Sequence, residues 1–193
     1  HIMDLKAYEA PVGTPVREIL EISGLDLERQ IAGASNVVGE DGGAERYVVA
    51  DGGPYINDIL DSRDIMSGEA CIRRTTNSLL LIPEGRQTKE YARDIKTKPP
   101  KDGFVSLVGK VSEVRVPLAG GPLTPGTPLV SEGDEVAYEQ KIAEPAERGF
   151  SIGVWASLEG RVTSVGGGVI SISGTARDEE RERRPAELQE QYA

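Results

Sequence analysis

Residues 128–173 read PLVSEGDEVAYEQKIAEPAERGFSIGVWASLEGRVTSVGGGVISIS. Short pieces rich in β-branched and aromatic residues alternate here with turn sequences built on Gly-Asp, Pro, Glu-Gly and Gly-Gly-Gly. Short strands that are regularly separated by glycine turns are typical of a small barrel or sandwich. The pattern therefore predicts an all-β domain with strands at 136–138, 152–155, 160–165 and 169–172.

The order of residues in this stretch resembles a known fold. A turn at Gly133-Asp134 precedes Val136, and residues 156–162 read ASLEGRV, with a glycine leading a strand. This order resembles the barrel-sandwich hybrid fold that lipoyl and biotinyl carrier domains share. A carrier needs an exposed lysine at the tip of its hairpin, but the candidate tip, 144–149, reads EPAERG and has none. The resemblance therefore implies the fold and not a lipoylated or biotinylated lysine.

A closer resemblance is to the barrel-sandwich domain of RnfC-type electron-transfer subunits. In that family a segment like 116–118, VPL here, precedes the Gly-Asp turn, and one like 152–157, IGVWAS here, precedes the glycine-led strand. The family usually has His where this chain has Trp155. Trp155 is the only tryptophan, and it has two interpretations: a core residue, or a ring that stacks on a cofactor.

The first half of the chain has a mixed pattern. A predicted strand at 5–9 is followed by a helix, with Thr14 as its N-cap, Pro15 at its first position and an apolar face on Val16, Ile19 and Leu20. Apolar strands are predicted at 47–50 and 78–82. These elements predict a small α+β domain before the barrel.

Three segments of this half resemble the SLBB domain, a β-grasp variant found in RnfC-type subunits. Residues 10–20 read APVGTPVREIL, like the start of that domain. Residues 49–54, VADGGP, resemble the glycine-glycine-proline loop of RnfC-type proteins, and 74–83, RTTNSLLLIP, resemble the strand after it. The resemblance implies an SLBB-like β-grasp domain in the order α+β, then all-β.

The domain prediction follows from these segments. We expect the SLBB-like domain at 4–85, a linker at 86–103, the barrel-sandwich hybrid domain at 104–174 and a charged tail at 175–193. The polar linker is where a missing iron–sulfur domain would belong. The tail is either a solvated segment, a docking helix or a self-association module. His1-Ile2-Met3 is typical of a cloning remnant, which predicts a piece of a longer protein.

Composition excludes several classes of function. The net charge is −10, so a nucleic-acid partner is not expected, and neither is an anionic membrane surface. One Cys and one His are too few for a zinc or iron–sulfur site, so we expect no metal site. The only His is His1, in the expected cloning remnant, so we expect no Ser-His-Asp triad and no catalytic residue. No run is long and apolar enough to span a membrane, and a single Cys suits a reducing, cytoplasmic compartment.

The order of the two domains resembles one RnfC-like family, the cobalamin reductases of bacterial microcompartments. In that family a flavin domain precedes SLBB, and a pair of [4Fe–4S] clusters lies between SLBB and the barrel. The resemblance implies a parent that carries FMN and clusters, takes cobalamin as substrate and is cytoplasmic, inside a microcompartment. This chain has neither the flavin domain nor the cysteines, so we expect no cofactor of its own. Its expected role is a scaffold that docks other domains or subunits.

The candidate contact loop is Gly52, Gly53, Pro54 and Tyr55. Glycines let a ligand or partner backbone come close, so a module that binds a small, cobalamin-like ligand is the alternative to docking. A tight turn at the end of a strand explains the same residues. Two other features have structural explanations: 166–168 as a hairpin turn rather than a phosphate cradle, and Cys71 as a structural thiol rather than a nucleophile.

Overall fold

The computed structural model of the chain describes residues 7–31, 47–53, 57–83, 104–119 and 123–174. Strands dominate the described residues, and the helices are short. In chain order the elements are β1 (Ala7–Glu9), α1 (Val16–Ile22), α2 (Leu27–Gln30), β2 (Tyr47–Gly52), β3 (Asn57–Leu60), α3 (Ser62–Ser67), β4 (Leu79–Pro83), β5 (Phe104–Ser106), β6 (Glu113–Pro117), β7 (Thr127–Pro128), β8 (Glu135–Val136), β9 (Lys141–Glu144), β10 (Val154–Trp155), β11 (Gly160–Gly166) and β12 (Val169–Ser173).

The described residues divide into two compact units. One unit holds 15–83, and the other combines 7–14 with 104–174. None of the helices in the described ranges has the length and apolar character needed to cross a membrane.

The first unit is a three-stranded antiparallel sheet with helices packed on it. The strand order is β3–β2–β4, and Val49 of β2 pairs with Leu60 on one side and Leu81 on the other. Helix and strand residues share one buried cluster: Val16, Leu20, Leu25, Leu27, Ile31, Val49 and Ile65. The predicted apolar face of α1 is confirmed, because Val16, Ile19 and Leu20 are all buried.

The start of α1 differs from the prediction. Pro15 occupies the N-cap position, and no side chain caps the helix. The hydroxyl of Thr14 instead donates to the carbonyl of Pro11 at 2.7 Å. The predicted Thr14 cap is wrong because the buried Thr14 side chain closes the preceding turn. Gly24, with φ +90, follows the last turn as expected of a residue after a helix C-terminus.

Residues 57–65, which have no clear periodicity, contain a strand and then a helix. The Asp61 carboxylate accepts from the backbone N–H of Arg63 at 2.8 Å and so caps α3. Hydrogen bonds from the side chain and backbone of Arg63 hold the pKa of Asp61 below its ordinary value. Gly68, in the left-handed region at φ +77, ends the helix.

The second unit has the predicted all-β organisation. Its larger sheet has the order β6–β12–β11–β8, and a smaller one has the order β10–β9–β7. The strands predicted at 136–138, 152–155, 160–165 and 169–172 are confirmed as β8, β10, β11 and β12, with shifted bounds. The core is aliphatic: Leu107, Val111, Val114, Val116, Val136, Ile142, Ala143, Val154, Ala156, Val162, Ile170 and Ile172 are buried.

Two backbone features join the turns and strands of this unit. The Asp134 side chain accepts from the N–H of Ser131 at 2.8 Å, and the Gly-Asp turn bonds in both directions to Val162 at 2.8 Å. At the start of β11, an added Cβ on Gly160 would come within 2.2 Å of the Ser173 carbonyl oxygen. An added Cβ on Gly174 would come within 2.0 Å of the Glu159 carbonyl oxygen. Only glycine therefore fits at this crossing.

The first strand belongs with the barrel. β1 pairs in parallel with β5, so Tyr8 lies opposite Val105. The predicted domain bounds remain a prediction. The pairing of β1 with β5 joins residues 7–14 to 104–174 within the second unit. The linker 86–103 and the tail 175–193 lie outside the described residues.

Candidate functional site

The first candidate surface is the end of β2, where the predicted contact loop begins. Gly52 has φ +121, its N–H donates to the Ser78 carbonyl at 2.8 Å, and the Ser78 hydroxyl donates to its carbonyl at 2.6 Å. The Asn57 amide donates to the Gly53 carbonyl at 3.0 Å. Apart from the two chain neighbours of Gly53, no heavy atom of the described residues lies within 4 Å of the position of a Cβ on Gly53. The strand end is therefore fixed, with open space beside Gly53.

A charged cluster, here called the Arg73 clasp, lies beside this strand end and consists of Arg73, Asp51, Asp58 and Thr76. The Arg73 guanidinium donates to Asp51 Oδ2 at 3.1 and 2.8 Å and to Asp58 Oδ2 at 2.8 Å. The Thr76 hydroxyl donates to Asp51 Oδ2 at 2.9 Å and accepts from the backbone N–H of Arg73 at 3.0 Å. One guanidinium thus ties the end of β2 to the start of β3.

The two carboxylates of the clasp differ in burial. The Asp51 side chain is 4% exposed, and that of Asp58 is 71% exposed. Hydrogen bonds to Asp58 and to Asp51 raise the pKa of Arg73. A buried carboxylate needs its donors, so Asp51 is matched inside the fold and is not available to a ligand. The clasp positions the loop and has no reactive group to offer.

The second candidate surface is the hairpin of β9 and β10, joined by residues 145–153. Trp155 is 43% exposed, so its interpretation as a core residue is wrong. The Lys141 ammonium lies 6.0 Å from the centroid of the Trp155 ring and 2.6 Å from Glu144 Oε2. The ammonium group therefore lies over one face of the ring, as in cation–π pairs.

The connecting loop is fixed by a neighbouring segment. The N–H of Thr124 donates to the Phe150 carbonyl at 2.6 Å. A Cβ on Gly149, which has φ +88, would lie 2.4 Å from Thr124 Oγ1, and one on Gly126 would lie 2.7 Å from the Glu144 carbonyl oxygen. Glycine at Gly149 leaves room for the Thr124 side chain, and glycine at Gly126 leaves room for the Glu144 carbonyl oxygen.

This fixed loop exposes apolar side chains. Phe150 is 83% exposed and Ile152 is 41% exposed. Together with Trp155 they are called the tip residues below. The three residues lie within 150–155 of the sequence, and an exposed apolar patch commonly marks an interaction surface. The arrangement can bind an apolar partner surface, and it contains no acid–base pair.

The residues predicted as candidates belong to different parts of the chain. Gly52 and Gly53 lie in the first unit and Trp155 in the second, while Pro54 and Tyr55 lie outside the described residues. The clasp was not predicted from the sequence, although an aspartate that ends the apolar run of Val48 to Ala50 is a usable signal. Phe150 and Ile152 were also missed, and their signal is two large apolar residues within a polar turn.

Two further expectations concern a metal site and the Cys71 thiol. Within the described ranges, no group of three or more His, Cys, Asp or Glu side chains could hold a metal ion. Cys71 is half-buried and forms an isolated β-bridge with Pro15.

Comparison with known families identifies the second unit. The family model of the RnfC barrel sandwich hybrid domain matches residues 97–177. No curated protein matches the chain, and no solved structure does. The match coincides with the strands of the barrel and with the predicted Gly-Asp and glycine-led turns. The match supports an RnfC-type barrel-sandwich hybrid domain at residues 97–177.

Proposed function

We propose that this chain is a docking module of an RnfC-like electron-transfer protein, and that it takes no part in the redox chemistry itself. The RnfC-type barrel supports membership of a protein with several domains or subunits. Within that assembly, the tip residues would contact the domain or subunit that carries a redox group. The single observation that carries the docking role is the exposure of Phe150 and Ile152 on the loop 145–153 and of Trp155 on β10.

The tip residues have the features of a binding hot spot. Aromatic side chains are enriched among the residues that dominate binding energy, and a fixed loop loses little entropy on association. Phe150 is 83% exposed in the isolated chain, so its ring remains in water unless a partner covers it. Apolar surface of this kind gains free energy on burial at about 25 cal/mol per Å².

The redox groups of the parent do not fit the residues of this chain. A [4Fe–4S] cluster needs four thiolate ligands, and the chain has one Cys. Clusters would therefore be held by other parts of the parent protein, and FMN by the flavin domain that the resemblance implies. The chain's own residues would orient those parts by docking.

A finer assignment concerns the parent and the first unit. We propose that the first unit is SLBB-like and that the parent is a cobalamin reductase of a bacterial microcompartment. Support comes from a small unit of helices on a sheet, with a glycine loop at a strand end, placed before the barrel. The proposal places the protein in the cytoplasm, within such a compartment.

Site-specific photo-crosslinking tests the docking role in the source cells. A benzophenone amino acid at position 150 should crosslink to a polypeptide that binds flavin or an iron–sulfur cluster. The same label at Lys110, an exposed position of the same unit, should not. Equal products from both positions, or NADH-dependent electron transfer by this chain alone, would contradict the proposal.

A second candidate function is the binding of a small, cobalamin-like ligand near Gly53. The open space beside Gly53 and the fixed loop base favour it. A ligand that binds only the folded state raises the melting temperature as its concentration rises. A shift with cobalamin and none with FMN would support this function, and a Gly53→Trp variant should abolish the shift. The absence of a shift with cobalamin would remove this candidate.

A further inference from the structure

The segment 7–14 binds the barrel unit as an extended strand. The N–H of Leu107 donates to the Glu9 carbonyl at 2.8 Å, and the N–H of Arg115 donates to the Gly13 carbonyl at 2.8 Å. The Ser106 hydroxyl donates to Glu9 Oε2 at 2.8 Å. The Ser157 hydroxyl donates to the Val12 carbonyl. The segment therefore contacts three separate parts of the barrel: β5 with the residue after it, β6, and the turn before β11.

The fit of this segment is specific at Gly13. An added Cβ there would come within 2.8 Å of the Arg115 carbonyl carbon and 2.9 Å of the Val116 nitrogen. Gly13 also has φ +93, which other residues rarely adopt. Thr14, the next residue, is completely buried. The barrel edge thus selects a segment with glycine at this place.

The connection of this segment to the barrel is long. Glu9 and Ser106 are separated by 97 positions, and the whole first unit lies between them in sequence. β1 itself pairs over only three residues. The strand and the edge that it pairs with are far apart in sequence. The same hydrogen bonds can therefore form when a second copy of the chain supplies the strand. An element joined in this way can be exchanged between copies at little cost in free energy.

We propose that the edge formed by β5, Leu107 and Arg115 is a strand-acceptor site, and that its partner is the segment 7–14 of a second copy of this chain. The site is filled by the chain's own segment at low concentration, because a segment of the same chain has a high effective concentration at its site. Exchange occurs when the concentration of the chain approaches that value. This proposal is independent of the docking role of the tip residues.

Disulfide trapping between two full-length copies tests the exchange. Both copies carry Cys71→Ser, which removes the only native thiol. One copy also carries Glu9→Cys and the other Ser106→Cys, since these side chains touch across neighbouring strands. The copies are mixed and oxidised at high concentration. Disulfide-linked heterodimer is the expected product, because the two thiols meet only when a segment has crossed between copies.

Three controls make the outcome decisive. The double variant Glu9→Cys with Ser106→Cys in one copy should link internally, which shows that the thiols can react. A Glu9→Cys copy mixed with Glu135→Cys, at an exposed position of β8, should give background only. Adding Gly13→Val to the Glu9→Cys copy should reduce the heterodimer to that background. Heterodimer at the background level despite internal linkage, or heterodimer that Gly13→Val leaves unchanged, would overturn the proposal.

Discussion

The Arg73 clasp of the first unit and the tip residues of the barrel both depart from the usual rule that charged side chains are exposed and apolar ones buried, and they do so in opposite ways. At the loop base a charged side chain, Asp51, is buried; at the tip an aromatic side chain, Phe150, is 83% exposed. The buried charge is matched by donors from Arg73 and Thr76. No such compensation exists for an apolar ring in water. The first region is therefore complete by itself, whereas the second is suited to a partner.

The comparison distinguishes a residue needed for folding from one available for binding. Polar groups inside a fold are retained when their hydrogen bonds are made internally, and their removal leaves partners unpaired. Apolar groups outside a fold add little to its stability. The two regions should consequently respond differently to mutation, and the predictions below run from the largest effect to the smallest.

Removal of the buried carboxylate should have the largest effect. Asp51→Ala leaves the Arg73 guanidinium and the Thr76 hydroxyl without their shared acceptor, and it should lower the free energy of unfolding by about 2–4 kcal/mol. Urea unfolding measures this. The matched change Asp58→Ala removes a 71% exposed partner of the same guanidinium and should cost under about 1 kcal/mol. Equal losses from both variants would show that burial does not distinguish the two carboxylates.

A smaller effect is expected at the side of the tip. Lys141→Met removes the ammonium that lies 6.0 Å from the Trp155 ring and 2.6 Å from Glu144. Partly exposed cation–π and ion pairs contribute about 0.5–1 kcal/mol. Trp155 is the only tryptophan, so its fluorescence reports the change directly. Lys110→Met is the control, and a spectrum equally altered by both variants would speak against a specific contact.

The smallest change in stability is expected at the tip itself. Phe150→Ser should leave the free energy of unfolding within about 0.5 kcal/mol of the original, because the ring is exposed. Glu147→Ser, in the same loop, serves as the reference. Both can be followed by urea unfolding. A loss above about 1 kcal/mol with Phe150→Ser would place the ring in the fold and remove the contrast between the two regions.

Local patterns predicted much of the fold. The spacing of Val16, Ile19 and Leu20 indicated the buried face of α1, since a helix repeats within a few residues. The glycine turns of residues 128–173 likewise indicated the order of the barrel strands. In each case the physical cause lies within a short stretch of chain, where sequence spacing and spatial neighbourhood coincide.

Contacts between distant residues were not predictable in the same way. The pairing of β1 with β5 joins residues that precede and follow the first unit in sequence. The sequence of β1, AYE, does not indicate which strand it pairs with. The clasp needs Asp51 and Arg73, which lie 22 positions apart in the sequence. The exposure of Trp155 depends on what the rest of the barrel leaves uncovered. The candidate site was therefore only partly predictable, at Gly52 and Gly53, whereas its charged base and the tip required the structure.

The crossing at Gly160 and Gly174 limits how this barrel can evolve. Every single-nucleotide change in a glycine codon that alters the amino acid introduces a side chain, and either position would then place a Cβ within 2.2 Å of a backbone oxygen. Neither residue can compensate for a change in the other, because each faces backbone and not a replaceable side chain. Selection should therefore keep glycine at both positions, whereas the exposed positions around them can vary.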